Sequence, residues 1–301
     1  MKRVLVTGAT GFVGRHLLAP LLARGYEVHA VARQAGQANG VVWHEADLLK
    51  HAEVTALAEK VKATHLLHAA WYAVHGKYWT AQENVFWVSA SLDLLRAFAE
   101  QGGTRVLMLG SCAEYDWTIH GDAAWKPDRP CVPATPYGAA KHATARMLLS
   151  FAARYGISAA WARLFLLFGE DEHPERLVSS ICISLLKEEE ARCASGRPVR
   201  DFLDSRDAGE RAVRILDSDA QGALNLSSGC GVAIADVARH LGNIAGRPDL
   251  IALGALPDRP GDPPFMVGDA LPLPPLSEAV LWQRLEEIYG WWKIKIKNNN
   301  I

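Results

Sequence analysis

The chain has 301 residues, half of them apolar, with 32 basic against 33 acidic side chains. That length buries a sizeable core, as one large domain or as a large one with a smaller partner. The balanced charge excludes a nucleic-acid or anionic-membrane footprint, and no apolar run approaches a membrane span.

Five cysteines (Cys112, Cys131, Cys182, Cys193 and Cys230) form no Cys-x-x-Cys pair and no spacing with histidine that suits a metal. They are expected to be reduced thiols of a cytoplasmic protein, and no metal site is expected. The apolar run after Met-Lys-Arg is too short for a signal peptide.

Arg3 to Thr7 predicts a short buried strand. It runs into Gly8-Ala9-Thr10-Gly11-Phe12-Val13-Gly14, and a helical pattern with Leu17, Leu18, Leu21 and Leu22 on one face follows, with Gly25 at its C-terminal cap. In such a strand–turn–helix, Gly8 permits a tight turn, Gly11 lets backbone approach a ligand, and Gly14 lets the helix pack on the strand. The helix N-terminus then suits a pyrophosphate. Tyr26 to Ala32 alternates as a second strand. It ends without the carboxylate that would hold the ribose hydroxyls of NAD; Arg33 follows and suits the 2′-phosphate of NADP.

Val41 to Leu48 predicts a third strand ending in Asp47-Leu48, followed by a helix with Val54, Leu57 and Val61 on one face. His65 to Ala70 predicts a fourth, whose small Ala69-Ala70 end leaves room for a cofactor backbone. His65 and His68 point to opposite faces of such a strand, so they are expected in packing roles rather than on a metal. Trp71 to Trp79 is aromatic and aperiodic, a loop expected near the mouth of the site. A helix over Glu83–Glu100 is expected to align Val85, Val88, Leu92, Leu95 and Phe98. Strands alternating with helices argue for a doubly wound parallel sheet.

Arg105 to Ser111 predicts a fifth strand with a hydroxyl at its carboxyl end, where ligands of such sheets bind. Pro136-Tyr137-Gly-Ala-Ala-Lys141 opens a helix to about Arg154 that carries Tyr137 and Lys141 on one face. A carbonyl that receives hydride gains charge on oxygen, and a nearby phenol can supply the proton. Lys141 is expected to favour the phenolate of Tyr137, and Ser111 to hold the carbonyl. A second Tyr-x-x-x-Lys, at Tyr289 and Lys293, lacks the strand-end serine and is taken as accidental.

The turn Thr7-Gly-Ala-Thr-Gly-Phe-Val-Gly14 and the Ser111, Tyr137, Lys141 trio resemble the extended branch of the short-chain dehydrogenase/reductase superfamily, which holds nucleotide-sugar epimerases, dehydratases and reductases. The resemblance runs from residue 3 to about 270. It implies a Rossmann-like domain at 1–165, an interleaved smaller α/β substrate domain at 166–290, and a disordered tail at 291–301. It also implies cofactor contacts at Gly8, Thr10, Gly11, Phe12, Val13, Gly14, Arg33, Asp47, Leu48, Ala69, Ala70, Tyr137 and Lys141. Asn84 falls where the family has an Asn-Val pair. Leu166 replaces an asparagine that the family uses on the substrate side. Arg200, in Arg-Asp-Phe, and Arg259, in Arg-Pro-Gly-Asp, match arginines near the diphosphate.

Ser111-Cys112-Ala113 lacks the Asp-Glu pair of the family's 4,6-dehydratases, which disfavours elimination of water. The expected activity is NADPH-dependent reduction of a keto group on a nucleoside-diphosphate sugar, at C4 of a 6-deoxyhexose. A 4-epimerase that retains NAD is the alternative; a non-catalytic NADP sensor is disfavoured by the presence of Tyr137. A homodimer through the 83–100 and 137–154 helices is implied by resemblance alone.

Overall fold

The computed structural model describes residues 2–298. The chain forms two compact units: one from the chain up to Asp116, Pro127–Leu164 and Arg206–Leu226, the other from Trp117–Lys126, Phe165–Ser205 and the chain from Ser227 on.

The first half of the chain alternates as β1 (Arg3–Thr7), α1 (Arg15–Ala23), β2 (Glu27–Ala32), β3 (Val41–Glu45), α2 (His51–Val61), β4 (His65–His68), α3 (Glu83–Glu100), β5 (Arg105–Ser111), α4 (Pro136–Tyr155) and β6 (Ser158–Leu164). Then come β7 (Leu166–Phe168), α5 (Leu177–Leu186), β8 (Ala191–Arg192), β9 (Val199–Asp204), α6 (Ser205–Asp217) and β10 (Gly222–Leu226). The chain closes with β11 (Gly231–Ala233), α7 (Ile234–Ala245), β12 (Ile251–Ala252), β13 (Phe265–Met266) and α8 (Glu278–Lys297).

In the first unit seven strands, all paired in parallel, stand in the order β10-β6-β5-β4-β1-β2-β3. The winding reverses between β1 and β4, and sheets of this kind bind ligands at the carboxyl ends of the strands beside such a switch. Strands buried on both faces read as near-continuous apolar runs, and Val4, Leu5, Val6, Leu66, Leu67, Val106 and Leu107 have almost no exposure. Leu94, Phe98, Leu148 and Trp161 cover one face. The second unit is built on β9, flanked by antiparallel β11 and by parallel β7 and β13. Its core gathers Phe168, Ile181, Phe202, Val237, Leu241, Leu285, Ile288 and Trp292.

Three expectations need correcting. The strand expected to reach Leu48 stops at Glu45, because the Asp47 amide donates to Glu53 and the Asp47 carboxylate accepts from Leu49, which bends the chain away. On α3 the buried residues are Asn84, Ala90, Ser91, Leu94, Leu95, Ala97 and Phe98; Val85 is 71% exposed and Val88 and Leu92 only half-buried. The last helix does not end near Tyr289. Leu281, Leu285, Ile288 and Trp292 continue one apolar stripe across Gly290, so residues 291–297 complete α8 in place of the expected tail. Residues 299–301 of that tail lie outside the described residues.

Candidate active site

At the carboxyl end of β1 the chain enters Gly8 with φ +69°, a left-handed backbone that favours glycine. A Cβ there would stand 2.7 Å from the Ala70 amide nitrogen. A Cβ on Gly14 would stand 1.9 Å from the Gly8 carbonyl oxygen. The turn is thus closed on itself with no room for side chains. Thr10 and Gly11 are exposed, Phe12 and Val13 half-buried, and the first-turn amides of α1 follow directly. This bare backbone cradle at a helix N-terminus fits the pyrophosphate of a dinucleotide.

Thr7 ties the cradle to β4. Its hydroxyl accepts from the Ala69 and Ala70 amides, both at 3.2 Å, and so gives its proton to His68 Nδ1 at 2.7 Å. His68 Nε2 then donates to Ser91, which donates to the Trp87 carbonyl. Burial pushes the His68 pKa down to about 3, with Lys141 adding to the effect, so the ring is neutral. Both histidines of β4 serve packing as expected, His65 meeting the Tyr26 ring edge-on. Beyond β2, Arg33 and Asp47 line one hollow of about 320 Å³ with Glu45, Ala46, Lys50 and Glu53; Leu48 is buried.

Ser111 ends β5 and Tyr137 opens α4. The Thr135 side chain caps that helix by accepting from the Gly138 amide, and Pro136 presets its first turn. Burial raises the pKa of the Tyr137 phenol, and the Ser111 side chain pulls against that rise. The ammonium of Lys141, one turn on, donates to the Leu109 carbonyl at 2.8 Å and lies 3.8 Å from the Trp71 ring centre. Burial drives its pKa down to about 7, against the opposing pull of Glu114. The lowered phenol pKa expected from Lys141 is therefore not the state of this arrangement.

The 71–79 loop bears on both helical members of the trio. The Trp79 carbonyl accepts from the Tyr137 amide at 3.1 Å, and the rings of Tyr78 and Trp79 meet the Tyr137 ring edge-on at 4.9 and 5.7 Å. Buried Asn84 pins the loop. Its Oδ1 accepts from Trp71 Nε1 at 2.9 Å, and its Nδ2 donates to the carbonyls of Tyr78 and Ala81 at 2.7 and 3.0 Å.

In the second unit, Arg200 is buried and donates to Asp262 at 2.7 Å. Arg259 is exposed, and its carbonyl accepts from the Asp262 amide. The Arg-Asp-Phe and Arg-Pro-Gly-Asp stretches thus meet through one ion pair. Tyr289 and Lys293 lie on α8 of that unit, whereas Ser111 belongs to the first.

The family profile described as "NAD dependent epimerase/dehydratase family" matches residues 4–227. The dTDP-6-deoxy-L-talose 4-dehydrogenase (NAD(+)) of Aggregatibacter actinomycetemcomitans is 27% identical over 75% of this chain and 84% of its own. The UDP-glucose 4-epimerase of Corynebacterium glutamicum is 25% identical over 89% of this chain and 87% of its own. The crystal structure of Thermotoga maritima UDP-glucose 4-epimerase with UDP-glucose, at 20% identity, has the same fold: TM-score 0.84, covering 98% of this chain and 99% of its own. With the glycine cradle and the Ser-Tyr-Lys geometry already in place, the match over most of its length makes this chain a member of the NAD-dependent epimerase/dehydratase family, oxidoreductase-type enzymes of nucleotide sugars.

Proposed function

We propose that this protein is a 4-keto-sugar reductase acting on a nucleoside-diphosphate sugar through Ser111, Tyr137 and Lys141. The observation that carries the reading is Ser111 at the carboxyl end of β5, with Tyr137 and Lys141 one turn apart at the start of α4, in the same unit as the glycine cradle. The relative named a dTDP-6-deoxy-L-talose 4-dehydrogenase supports it, since the reverse of that oxidation reduces a 4-keto sugar. A nicotinamide dinucleotide held by the cradle supplies the hydride. Tyr137 passes its proton to the substrate oxygen, and Ser111 donates a second hydrogen bond to that oxygen as charge develops. Lys141, one helical turn from Tyr137, is assigned to the cofactor ribose. The rings of Tyr78 and Trp79 pack edge-on against the Tyr137 ring.

Arg33 and the absence of a carboxylate at Ala32 support NADP over NAD. The diphosphate is assigned to Arg259 and Arg200, brought into one neighbourhood by the Asp262 pair. A homodimer through α3 and α4 is supported by Val85, Phe86, Met147 and Tyr155, all at least half exposed on these two helices. A cytoplasmic site is supported by five free thiols; among the described residues no helix is long and apolar enough to cross a membrane.

The relative named UDP-glucose 4-epimerase favours a second reading, in which retained NAD takes and returns the hydride. Denaturing the purified protein and identifying released nucleotide separates the two. An empty site that binds NADPH and reduces a 4-keto nucleotide sugar supports the reductase. Stoichiometric NAD with no net reduction overturns it in favour of the epimerase.

A further inference from the structure

Behind the trio lies a carboxylate that hydride transfer does not use. Glu114 has no exposure, and it accepts from the Ser111 amide at 2.8 Å, from Trp161 Nε1 at 2.9 and 3.1 Å, and from Arg163 Nε at 2.8 Å. Arg163 is buried as well, donating onward to the Tyr115 hydroxyl at 3.1 Å and the Pro127 carbonyl at 2.9 Å. Tyr115 in turn donates to Asn225 at 2.6 Å. The space is made by Gly110, where a Cβ would stand 2.1 Å from Trp161 Nε1 and 2.6 Å from Glu114 Oε1.

Stability does not account for such a pair. Replacing both members of a buried ion pair by apolar groups is often neutral or better, whereas removing one is costly. Position does account for it. The Ser111 hydroxyl accepts from the Ala113 amide at 3.2 Å while the Glu114 carboxylate accepts from the Ser111 amide, a reciprocal capping box around a three-residue turn. Both backbone and hydroxyl of Ser111 are then fixed. The turn is also wedged against α4, since a Cβ on Gly138 would stand 2.3 Å from the Ala113 carbonyl oxygen. An anchored turn pressed on the helix that carries Tyr137 sets where Ser111 stands against that helix.

We propose that Glu114 is a positioning residue: by accepting from the Ser111 amide it holds the Ser111 hydroxyl where it meets Tyr137 and the substrate oxygen. The inference rests on the catalytic reading of the trio. Arg163, Lys141, His142, whose Nδ1 lies 4.0 Å from the carboxylate, Tyr115, Cys131 and Tyr137 are charged or titratable groups around it, so the test must separate the acceptor from the charge.

Two double variants do so. Glu114→Val with Arg163→Met removes the pair and the acceptor together, leaving no orphan charge. Glu114→Gln with Arg163→Met removes the same charges but keeps an acceptor for the Ser111 amide. The first is expected to lose about 10- to 100-fold in kcat with an unchanged KM for the cofactor, and the second to recover most of the loss. In a Ser111→Ala background the Val/Met change should cost less than about 2-fold, because its route runs through Ser111. Equal losses in both double variants, or the same loss with and without Ser111, overturn the proposal. If the wild type turns over no 4-keto nucleotide sugar, the proposed function fails, and amide exchange still decides on Glu114. The peptide holding Ser111 should exchange faster in the Val/Met variant while peptides of α4 keep their protection; unchanged exchange at Ser111 overturns the inference.

Discussion

Lys141 should make the ligand-free protein less stable than it could be, and substituting methionine exposes this. The drop of its pKa from 10.5 to about 7, at about 1.4 kcal/mol per pH unit, amounts to a burial cost of about 5 kcal/mol. Between those two values the unfolded chain holds a proton that the folded one has released. Stability of the wild type therefore rises with pH across that window, and the cost is full below about pH 7. Lys141→Met removes the cost and with it the hydrogen bond to Leu109 and the Trp71 contact, together worth about 2–3 kcal/mol. The variant should be about 2 kcal/mol more stable than wild type at pH 6, a Tm rise of about 4 °C, while losing turnover. By pH 10 the order should reverse. Thermal melts of both proteins from pH 6 to 10, without cofactor, test this; parallel curves would refute the reasoning.

Gly14→Ala puts a methyl carbon 1.9 Å from the Gly8 carbonyl oxygen, so the cradle must open. Dinucleotide affinity, followed by nicotinamide fluorescence, should fall at least about 10-fold, and an unchanged Kd would refute the packed turn. Trp71→Leu removes both the ring under Lys141 and the donor to Asn84, and should lower kcat about 10-fold. Trp71→Phe keeps the ring and should lie between. Arg33→Ala should reduce the NADPH-over-NADH preference in kcat/KM about 10-fold; an unchanged ratio would place cofactor selection elsewhere. Phe86→Glu with Met147→Glu should give a monomer by light scattering at micromolar concentration if α3 and α4 form the interface.

The cofactor half was legible because its signals are local and redundant. The Gly8–Gly14 turn, the apolar runs of β1 and β4 to β6, and the helix-opening Pro136 each state one element, and each agrees with its neighbours. What stayed hidden depends on contacts between distant stretches. Nothing in the sequence near Trp71 says that its ring lies on Lys141, or that Asn84 holds it there. The stripe on α3 was misplaced because its N-terminal turn exposes apolar residues, which periodicity alone assigns to a core. Glu114 could have been found: Ser111-x-x-Glu114 after a strand is a capping-box spacing, here spent on a turn at the site.

The interleaving of the two units has a consequence for how the protein is made. Arg105 on β5 donates to the carbonyls of Ile215 and Leu216, Arg24 pairs with Glu210, Lys2 with Asp217, and β10 hydrogen-bonds β6. Completion of the sheet that carries the cradle therefore waits on residues synthesised after β9, and the nascent chain must shelter an open sheet edge at β6 until residue 226 has left the ribosome. A gene fragment ending at residue 165 would carry every glycine of the cradle and the side chains of Ser111, Tyr137 and Lys141, and still lack the strand that finishes their sheet.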